Sequence, residues 1–561
     1  IALRGLPDIN STFIDFKAKG LQTSYADAVA LFPSLARVTQ PQLSKLGNIF
    51  YKGNFTGFLN DFVAFGTIIT NMGMVTADLN MKLPETGIPN YSGKLMTTNF
   101  RLGEFINSKE LGNISLNGTV KGSGFALKEL NANFDGTIKE IGFNGYNFQN
   151  LAVKGDFKKN QFTGHLTIDD PNIKIKSLDG TLSLSGKEIA FNLDADLQYA
   201  NLQEIHFAKE KFQLKGLFSL NFTGNNIDNF LGTARVYNAE LTHDSSLLSF
   251  DSLTLQSYRQ DDKKYLSIRS NEIDADISGQ FTILELPDAF KVFLSRYYPT
   301  YIKKPSYRVS NQDFSFNINT KQVDEYIRLL DSRLSGFNDA SISGNLNLAA
   351  YDLKVNAQVP LFSYDGKTFS NIRLTGNGNR DTLKADIAAD DIQISDSLHF
   401  PATNLKLTAN NDVSEIQLKT SAGKTLNDAE INASVKTLAD GVKLHFFPSS
   451  FIINDKKWLL AKDGELTIRK NYLDANEVKF VHDDQQIALS TELDDVTDQT
   501  HIVAKLTKVD LEDFAPLVFK KPSVKGLLTG TANIRDPFGK VIIDFTGRAD
   551  SFSNGSRMLA V

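Results

Sequence analysis

The chain has 561 residues, a formal net charge of −5 and no cysteine, and 41% of its residues are hydrophobic. This composition is that of a folded protein and argues against intrinsic disorder. The absence of cysteine excludes a disulfide framework and any thiolate ligand or nucleophile, and the mild acidity gives no case for binding nucleic acid. The 41 Phe, against one Trp and five Met, suit the faces of β-strands.

The two ends of the chain suggest a fragment. The sequence begins at Ile1 without a basic and then apolar leader, and it ends at Val561 directly after strand-like residues. No run of 18 apolar residues occurs, so no transmembrane helix is predicted. We therefore expect this chain to be part of a longer protein.

Residues 1–57 are predicted to form an N-terminal strand–helix unit. Ile14 and Phe16 alternate with Asp15 and Lys17, which indicates a strand. A short helix is expected to begin after Ser24 and to end near Pro33, because a proline disfavours helix at the residue before it.

From Asn54 onward, the hydrophobic period is two almost everywhere. Apolar residues alternate with Ser, Thr, Asn, Lys or Asp, so each strand has one apolar and one polar face. Roughly 40 strands are expected, mainly antiparallel, because links this short cannot make parallel crossovers. The clearest apolar positions, predicted to line a groove, are Leu182, Leu184, Phe218, Leu220, Phe222, Leu346, Leu348, Leu405, Leu407, Ile416, Leu418, Leu466 and Ile468.

Asn-Gly and Asp-Gly pairs are predicted to turn the chain between strands, because they tolerate the positive φ angles of tight hairpins. These pairs begin at Asn144, Asp179, Asp365, Asn377, Asp440 and Asp463.

A helix-containing insertion is predicted at residues 286–340, between β segments 58–285 and 341–561. Pro287 is tolerated in a first helical turn, and Pro299 is expected to break the helix. A second helix is predicted from Gln322 to Leu334. The residues expected on one side of the first helix are Phe290, Phe293, Leu294, Tyr297 and Tyr301.

A basic and aromatic patch overlaps the end of the first helix. It admits two interpretations, a helix end with a solvated rim, which the pattern favours, or a phosphate contact. Its residues are Arg296, Tyr297, Tyr298, Tyr301, Lys303, Lys304, Tyr307 and Arg308.

A strand, a short apolar turn and a second strand recur along the chain, which predicts a repeat array. The clearest copies run from Lys94, with Leu102 and Phe105, and from Lys505, with Leu511 and Phe514. The second strands of these copies contain Ser115–Gly118 and Ser523–Gly526. Looser copies begin at Leu202/Ile205 and Val323/Tyr326.

Motifs for catalysis are not evident. The seven His are far apart and have no metal-ligand spacing, and no Gly-x-Ser-x-Gly, Walker or His-Glu-x-x-His motif occurs. Acidic pairs such as Asp169–Asp170 and Asp483–Asp484 lack the alternating pattern of a calcium loop. The sequence therefore predicts neither an enzyme nor a metal or cofactor, although a phospholipid or detergent could be bound.

The apolar faces of so many strands must be covered. Two stacked sheets would bury them against each other, a solenoid would stack them, and a single folded sheet would leave them lining a groove. A groove would expose more apolar surface than a monomer tolerates unless it holds an apolar ligand such as acyl chains. The pattern alone does not choose among trough, sandwich and solenoid.

Three stretches carry a resemblance to a known family: Phe55 to Leu83, the following YSGKLMTTNFRLGEFI with LGNISLNGTVKGSGF, and INDKKWLL from Ile453 to Leu460. They resemble the TamB family of AsmA-like envelope proteins (translocation and assembly module), in the form found in Bacteroidetes-type bacteria, and the resemblance covers most of the chain. It implies an elongated, twisted β-taco sheet folded into a hydrophobic groove in the periplasm. It further implies anchoring in the inner membrane and contact with an outer-membrane barrel protein of the BamA or TamA type. We expect the family's membrane anchor and barrel-binding domain to lie outside this fragment.

The leading prediction is a bridge segment that conducts phospholipid between the inner and outer membranes, or supports outer-membrane protein assembly, without catalysis. Acyl chains would slide along the lining residues while head groups stay in water. One alternative is a scaffold that receives nascent outer-membrane β-strands by augmentation. Another is an extracellular adhesin or glycan-binding β array, with a closed core.

Overall fold

Alternating sequence forms strands along almost the whole computed structural model, and its helices are few and short. The chain divides into two units, residues 1–258 with 269–271, and residues 259–268 with 272–561. The residues described are 1–8, 11–31, 41–84, 88–124, 129–184, 186–243, 246–395, 398–422, 426–461, 463–470, 472–493, 500–518, 524–536, 542–554 and 557–558.

The first unit contains fifteen strands and two short helices, α1 (Tyr25–Leu31) and α2 (Leu102–Ile106). The strands are β1 (Ala2–Arg4), β2 (Phe13–Ser24), β3 (Asn48–Phe58), β4 (Asp61–Thr70), β5 (Gly73–Lys82), β6 (Asn90–Thr98), β7 (Leu111–Ser123), β8 (Asn131–Phe143), β9 (Tyr146–Lys158), β10 (Gln161–Asp169), β11 (Ile173–Ser183), β12 (Ala190–Asn201), β13 (Phe212–Thr223), β14 (Leu231–His243) and β15 (Ser246–Gln260). A 3₁₀ turn spans Leu43–Leu46.

From β2 to β15, each strand pairs with the next in an uninterrupted antiparallel meander. The short β1 pairs with the start of β2. Side chains directly opposite each other in neighbouring strands share a face of the sheet, so this register decides which apolar residues meet.

The second unit contains the remaining strands, helices α3 (Leu286–Leu294), α4 (Asp324–Leu330) and α5 (Leu511–Val518), and a 3₁₀ turn at Ile283–Glu285. The strands are β16 (Lys263–Ser270), β17 (Ile273–Gln280), β18 (Asp313–Thr320), β19 (Leu334–Gly336), β20 (Ser341–Asn347), β21 (Asp352–Tyr364), β22 (Lys367–Gly378), β23 (Leu383–Ser395), β24 (Leu398–Asn410), β25 (Val413–Ala422), β26 (Leu426–Leu438), β27 (Gly441–Phe446), β28 (Ser449–Ile453), β29 (Lys456–Leu460), β30 (Glu465–Arg469), β31 (Tyr472–Asn476), β32 (Val478–His482), β33 (Gln485–Leu493), β34 (Thr500–Asp510), β35 (Val524–Arg535), β36 (Ile542–Asn554) and β37 (Arg557–Met558).

The sheet of the second unit branches at β26. Up to that strand, β17, β18 and β20 to β26 pair in order, with the short β19 beside β21. The first part of β26 pairs with β28 and its second part with β27. One arm then runs through β27, β30 and β31, and the other through β28, β29, β32, β33, β34 and β35.

Every pairing named above is antiparallel, so the prediction of an all-β, mainly antiparallel sheet with a few short helices is confirmed. The predicted repeat is also present, because α2 and α5 each connect two strands that pair with each other. In the first unit, α1, α2 and a turn at residues 202–207 all follow even-numbered strands. Since a meander turns at alternate edges, these three links lie at the same long edge of that unit's sheet.

Some local predictions are wrong. Asp179–Gly180 lies inside β11 and makes no turn. The first predicted helix, α3, ends at Leu294, well before Pro299; Tyr298 precedes that proline and is disfavoured in helix. Tyr301 is 71% exposed and does not share the packed side of α3. The second helix is confined to α4. The predicted helix end at Pro33 and the repeat residue Ser523 lie outside the described residues.

The INDKKWLL stretch forms the turn and the second strand of the β28–β29 hairpin, and α5 packs against this hairpin. Trp458 is fully buried, with its ring centroid 5.2 Å from that of Phe514 on α5. Beside it, the Lys456 Nζ lies 2.8 Å from the Asp513 Oδ2 and 2.9 Å from the Asp510 Oδ2. The Asn454 Nδ2 donates to the Asp513 Oδ1 at 3.1 Å. Asp513 is only 2% exposed, so its charge depends on these partners.

We expect Asp513→Ala to lower the free energy of unfolding of this region by about 2–3 kcal/mol, because it removes a buried carboxylate that pairs with Lys456 and accepts a hydrogen bond from Asn454. The matched control is Asp484→Ala. Asp484 pairs with Lys508 at 2.6 Å, but both side chains are more than half exposed, so its loss should cost less than about 1 kcal/mol. Urea unfolding monitored by Trp458 fluorescence measures both. Equal losses in the two variants would contradict the buried-pair interpretation.

Candidate functional site

One row of residues crosses the first unit from β2 to β15, and every member is apolar or glycine. We call it the first apolar row: each residue is directly opposite the next, through fourteen strands. Its members are Phe16, Phe55, Ala64, Leu79, Gly93, Val120, Phe134, Gly155, Gly164, Gly180, Leu193, Leu220, Ala234 and Leu255. At about 4.8 Å per strand, the row is about 60 Å long.

The adjacent row on the opposite face is polar at every position except Phe65. Its members are Lys17, Asn54, Phe65, Asp78, Lys94, Thr119, Asp135, Lys154, His165, Asp179, Asp194, Ser219, Arg235 and Thr254. The Lys154 Nζ lies 3.4 Å from the Asp135 Oδ2, and the His165 Nδ1 lies 2.8 Å from the Asp179 Oδ1. This polar face of the sheet is therefore the one exposed to solvent.

The first apolar row is accessible rather than sealed. Apart from Phe134 and Gly155, which are buried, its members are only half-buried. A second sheet packed on this face would bury inward residues almost completely. The first unit thus presents an apolar floor that solvent or a ligand can reach.

Further apolar rows widen this floor on both sides. Phe162, Leu182, Phe191 and Phe222 form one such row, in which the Phe191 and Phe222 rings are stacked with centroids 4.7 Å apart. The other row consists of Leu166, Leu178, Ala195, Phe218 and Val236. Three rows spaced two residues apart give a floor about 13 Å wide.

Three successive glycines lie at the centre of the floor, and the Phe162 ring packs over the first of them, Gly155. They are Gly155, Gly164 and Gly180, on β9, β10 and β11. Gly180 has a φ of 147°, and a Cβ there would lie 2.3 Å from the Asn192 carbonyl oxygen. Only glycine fits that backbone, so the sequence requires glycine at this position of the row.

The second unit has two similar rows. The second apolar row consists of Ile277, Phe316, Gly344, Val355, Gly376, Ala385, Leu407, Ile416, Ala433 and Phe446. The third apolar row consists of Ala275, Ile318, Ile342, Ala357, Leu374, Ile387, Leu405, Leu418 and Ile431. Every member of the third apolar row is half-buried.

A segment containing α3 covers a further row of the second unit. We call residues 283–302 the strap. Phe293 (2% exposed) and Tyr297 (0%) of the strap pack in one cluster with Leu346, Leu353 and Ala409, all buried. Leu346, Leu353 and Ala409 lie on β20, β21 and β24, which are far from α3 in sequence. The apolar faces of these strands form the surface on which the strap lies.

Hydrogen bonds fix the far end of the strap at the β24–β25 turn. The Asp412 backbone N–H donates to the Tyr297 carbonyl at 2.6 Å. The Asp412 carboxylate accepts from the Thr300 backbone N–H at 3.0 Å and from its hydroxyl at 2.7 Å. The Tyr298 and Ser414 hydroxyl oxygens are 2.9 Å apart. Burial raises the pKa of the Tyr297 phenol, which keeps its proton to donate to the Asn379 carbonyl.

An apolar cavity of about 290 Å³ lies where the strap begins. Its walls come from the strap (Ile283, Leu286, Phe290), from the second and third apolar rows, and from β16 (Leu266, Ile268). It is nearly twice the size of a 150 Å³ apolar cavity that binds benzene. The cavity is therefore large enough to hold a short stretch of hydrocarbon chain.

Beyond β25 the apolar face of the second unit closes. The two arms that leave β26 enclose a core of Ala433, Phe446, Leu460, Ala475 and Val478, each at most 9% exposed. The second apolar row ends in this core. The accessible floor of the second unit is therefore the third apolar row from β17 to β25, about 35 Å.

The predicted lining residues fall into different environments. Leu182, Phe218, Leu220 and Phe222 lie on the open floor of the first unit, and Leu405 and Leu418 lie on that of the second. Leu407 packs against the cluster under the strap, and Ile416 packs on the closed core. Leu346 and Leu348 contact the cluster under the strap, and Leu466 packs on the closed core. Ile468 is half-buried opposite Val442, and Leu184 lies past the end of β11, 54% exposed.

Sequence reasoning missed two parts of the site. The glycines of the first apolar row carry no side chain and so gave no hydrophobic signal. The Ile283 and Leu286 walls of the cavity lie before the predicted apolar side of α3. Only the spacing of Phe290 and Phe293 pointed to a packed helix.

Within the described residues, no group of three or more His, Asp or Glu is placed to hold a metal ion. No helix in that part of the chain is long and apolar enough to cross a membrane. What the two units share is an antiparallel sheet with one polar face and one accessible apolar face. No protein-family model, curated protein or solved structure matches this chain.

Proposed function

We propose that this chain is a periplasmic segment of a bridge-like protein, which conducts phospholipid between the inner and outer membranes. The observation that carries the proposal is the first apolar row: fourteen successive strands contribute an apolar residue or glycine to one accessible floor. Such a floor is costly to leave in water, and acyl chains on it would lower that cost.

The dimensions suit acyl chains. Half the hydrocarbon core of a bilayer, about 15 Å, is the length of one chain, and the floor of the first unit is about four times as long. Burial of each methylene contributes about 0.8 kcal/mol, so a chain that moves from strand to strand along the floor keeps most of its favourable energy. The polar face behind the floor stays in water throughout.

The assignment of the two membranes and of the partner protein is supported only by the resemblance to the TamB family. Attachment to the inner membrane, contact with an outer-membrane barrel protein of the BamA or TamA type, and a role in outer-membrane protein assembly belong to the proposal in that sense. The scaffold alternative uses the same floor but places a nascent polypeptide on it, and the adhesin alternative leaves the floor without a lipid.

Native mass spectrometry with lipid extraction tests the proposal on the purified chain. We expect phospholipid to copurify, with more than one molecule per chain, because each unit has its own floor. A stable, lipid-free chain that also takes up no lipid from vesicles would contradict the proposal.

A photoreactive side chain at Leu405, on the third apolar row, distinguishes lipid from polypeptide. We expect crosslinks to phospholipid at this position. Lys406 is exposed on the other face and is the matched control, from which such crosslinks should be absent. Crosslinks from Leu405 to polypeptide alone would favour the scaffold, and equal lipid crosslinks from both positions would show nonspecific contact.

A further inference from the structure

Two arginines share one tyrosine ring beside the strap. Tyr351 lies in the turn between β20 and β21, with a φ of 54°. The guanidinium carbon of Arg296, on the strap, is 5.0 Å from the Tyr351 ring centroid, and that of Arg380, between β22 and β23, is 5.1 Å from it. Because both guanidinium carbons lie at this distance from one ring, they are at most about 10 Å from each other, and the cation–π contacts hold them beside the same residue.

These two guanidinium groups have no acidic partner in the part of the chain that the structure describes. Other arginines of the second unit do have one: the Arg373 Nη2 lies 2.8 Å from the Asp390 Oδ1, and the Arg469 Nη1 lies 3.1 Å from the Asp440 Oδ1. The Arg296 Nε instead donates to the carbonyl oxygen of Arg380. Most donors of the pair therefore remain for another acceptor.

The segment that surrounds Arg296 also carries a net positive charge. From Ala289 to Gln312 there are five Lys or Arg residues and no Asp or Glu, in a chain whose net charge is −5. The acids that face this stretch keep their negative charge: Asp288 pairs with Lys291 and accepts a hydrogen bond from Tyr307, whereas Glu285 and Asp412 accept hydrogen bonds from the neutral residues Ser310 and Thr300. Asp381, next to Arg380, is exposed. Counted with Arg380, six Lys or Arg residues stand against these four carboxylates, and the remaining excess of positive charge favours an anionic ligand.

We propose that Arg296 and Arg380 form a phosphate-binding site, and that the phosphate it takes is that of a phospholipid head group. Guanidinium groups donate paired hydrogen bonds to phosphate oxygens, and the Tyr351 ring holds these two in place before the ligand arrives. Tyr351 also packs against the cluster under the strap. A head group here would therefore have its acyl chains beside the apolar rows of the second unit. The lipid source of the phosphate rests on the proposed function, but the phosphate site itself does not.

The test compares three probes by isothermal titration calorimetry: dihexanoyl phosphatidylglycerol, dihexanoylglycerol, which lacks the phosphate, and inorganic phosphate. Arg296→Gln with Arg380→Gln removes both charges from the site. The control is Arg373→Gln with Arg469→Gln, which removes the same charge from two arginines outside it. We expect the site variant to bind the phosphatidylglycerol about tenfold more weakly, with dihexanoylglycerol unchanged and the control like the native chain.

The outcomes separate the phosphate site from the proposed function. Weaker binding of inorganic phosphate in the site variant, with neither lipid bound by the native chain, would support the phosphate site and contradict the lipid function. Unchanged affinity for both phosphate probes in a folded site variant would overturn the inference. So would an equal loss for dihexanoylglycerol, because it would show that the strap had loosened rather than that a phosphate contact had been lost.

Discussion

Replacing Leu220 with arginine is expected to slow phospholipid transfer about thirtyfold while the chain still folds. Leu220 lies in the first apolar row between Leu193 and Ala234, and it is half-buried. A guanidinium group on a lipid-facing surface costs about 2–4 kcal/mol, and the lower figure corresponds to about thirtyfold in rate or affinity. The floor is half open, so the arginine can direct its charge toward water and the sheet can tolerate it.

The matched control for this prediction is Asn221→Arg. Asn221 is the next residue of the same strand and is exposed on the polar face, so it adds the same charge without touching the floor. Transfer of a fluorescent phospholipid between vesicles measures both variants, and circular dichroism establishes that they are folded. If folded Leu220→Arg transfers lipid as fast as Asn221→Arg does, the first apolar row is not the lipid path.

The sequence predicts both Leu220 and Leu348 as lining residues, but the structure separates the two positions. Leu348 packs against the cluster beneath the strap, where an arginine would leave a charge among buried side chains. Loss of transfer there would not distinguish a blocked floor from a displaced strap. Leu220 is free of that ambiguity because no helix packs over it among the described residues.

The alternation of apolar and polar residues was enough to predict the class of fold and the faces of its strands. A strand has a period of two, so Leu220 and Asn221 had to lie on opposite faces whatever the register. The register itself could not be predicted, since it depends on which strand pairs with which. The first apolar row depends on this register, because only the pairing of β10, β11 and β12 places Gly164, Gly180 and Leu193 opposite one another.

Predictions from neighbouring residues were wrong where contacts between residues distant in sequence determine the local structure. Asp179–Gly180 has the composition of a turn, but the pairing of β11 with β10 and β12 holds it in a strand. Leu466 shares the alternation of the floor residues, but it lies in a closed core because the sheet branches at β26. The position of the strap depends on bonds such as that between Tyr298 and Ser414, 116 residues apart.

Phe293→Ala is expected to destabilise the strap by about 3–5 kcal/mol, the usual cost of truncating a buried phenylalanine. Phe293 is 2% exposed and packs against Tyr297, with ring centroids 5.7 Å apart. Its removal leaves a cavity over Leu346 and Leu353, which the short α3 cannot fill by itself. Amide hydrogen exchange of residues 286–294 should therefore become faster by two or more orders of magnitude.

The control lies on the same segment. Tyr301 is also an aromatic residue of the strap, but it is 71% exposed, so Tyr301→Ala should change the exchange of α3 by less than about threefold. The first apolar row is in the other unit, and its exchange should be the same in both variants. If Phe293→Ala leaves the exchange of α3 unchanged, the strap is held by the bonds at Asp412 rather than by packing. If it accelerates exchange as expected, the strap is a removable cover, and the apolar surface beneath it, with Leu346 and Leu353, becomes available to the same ligands as the open floor.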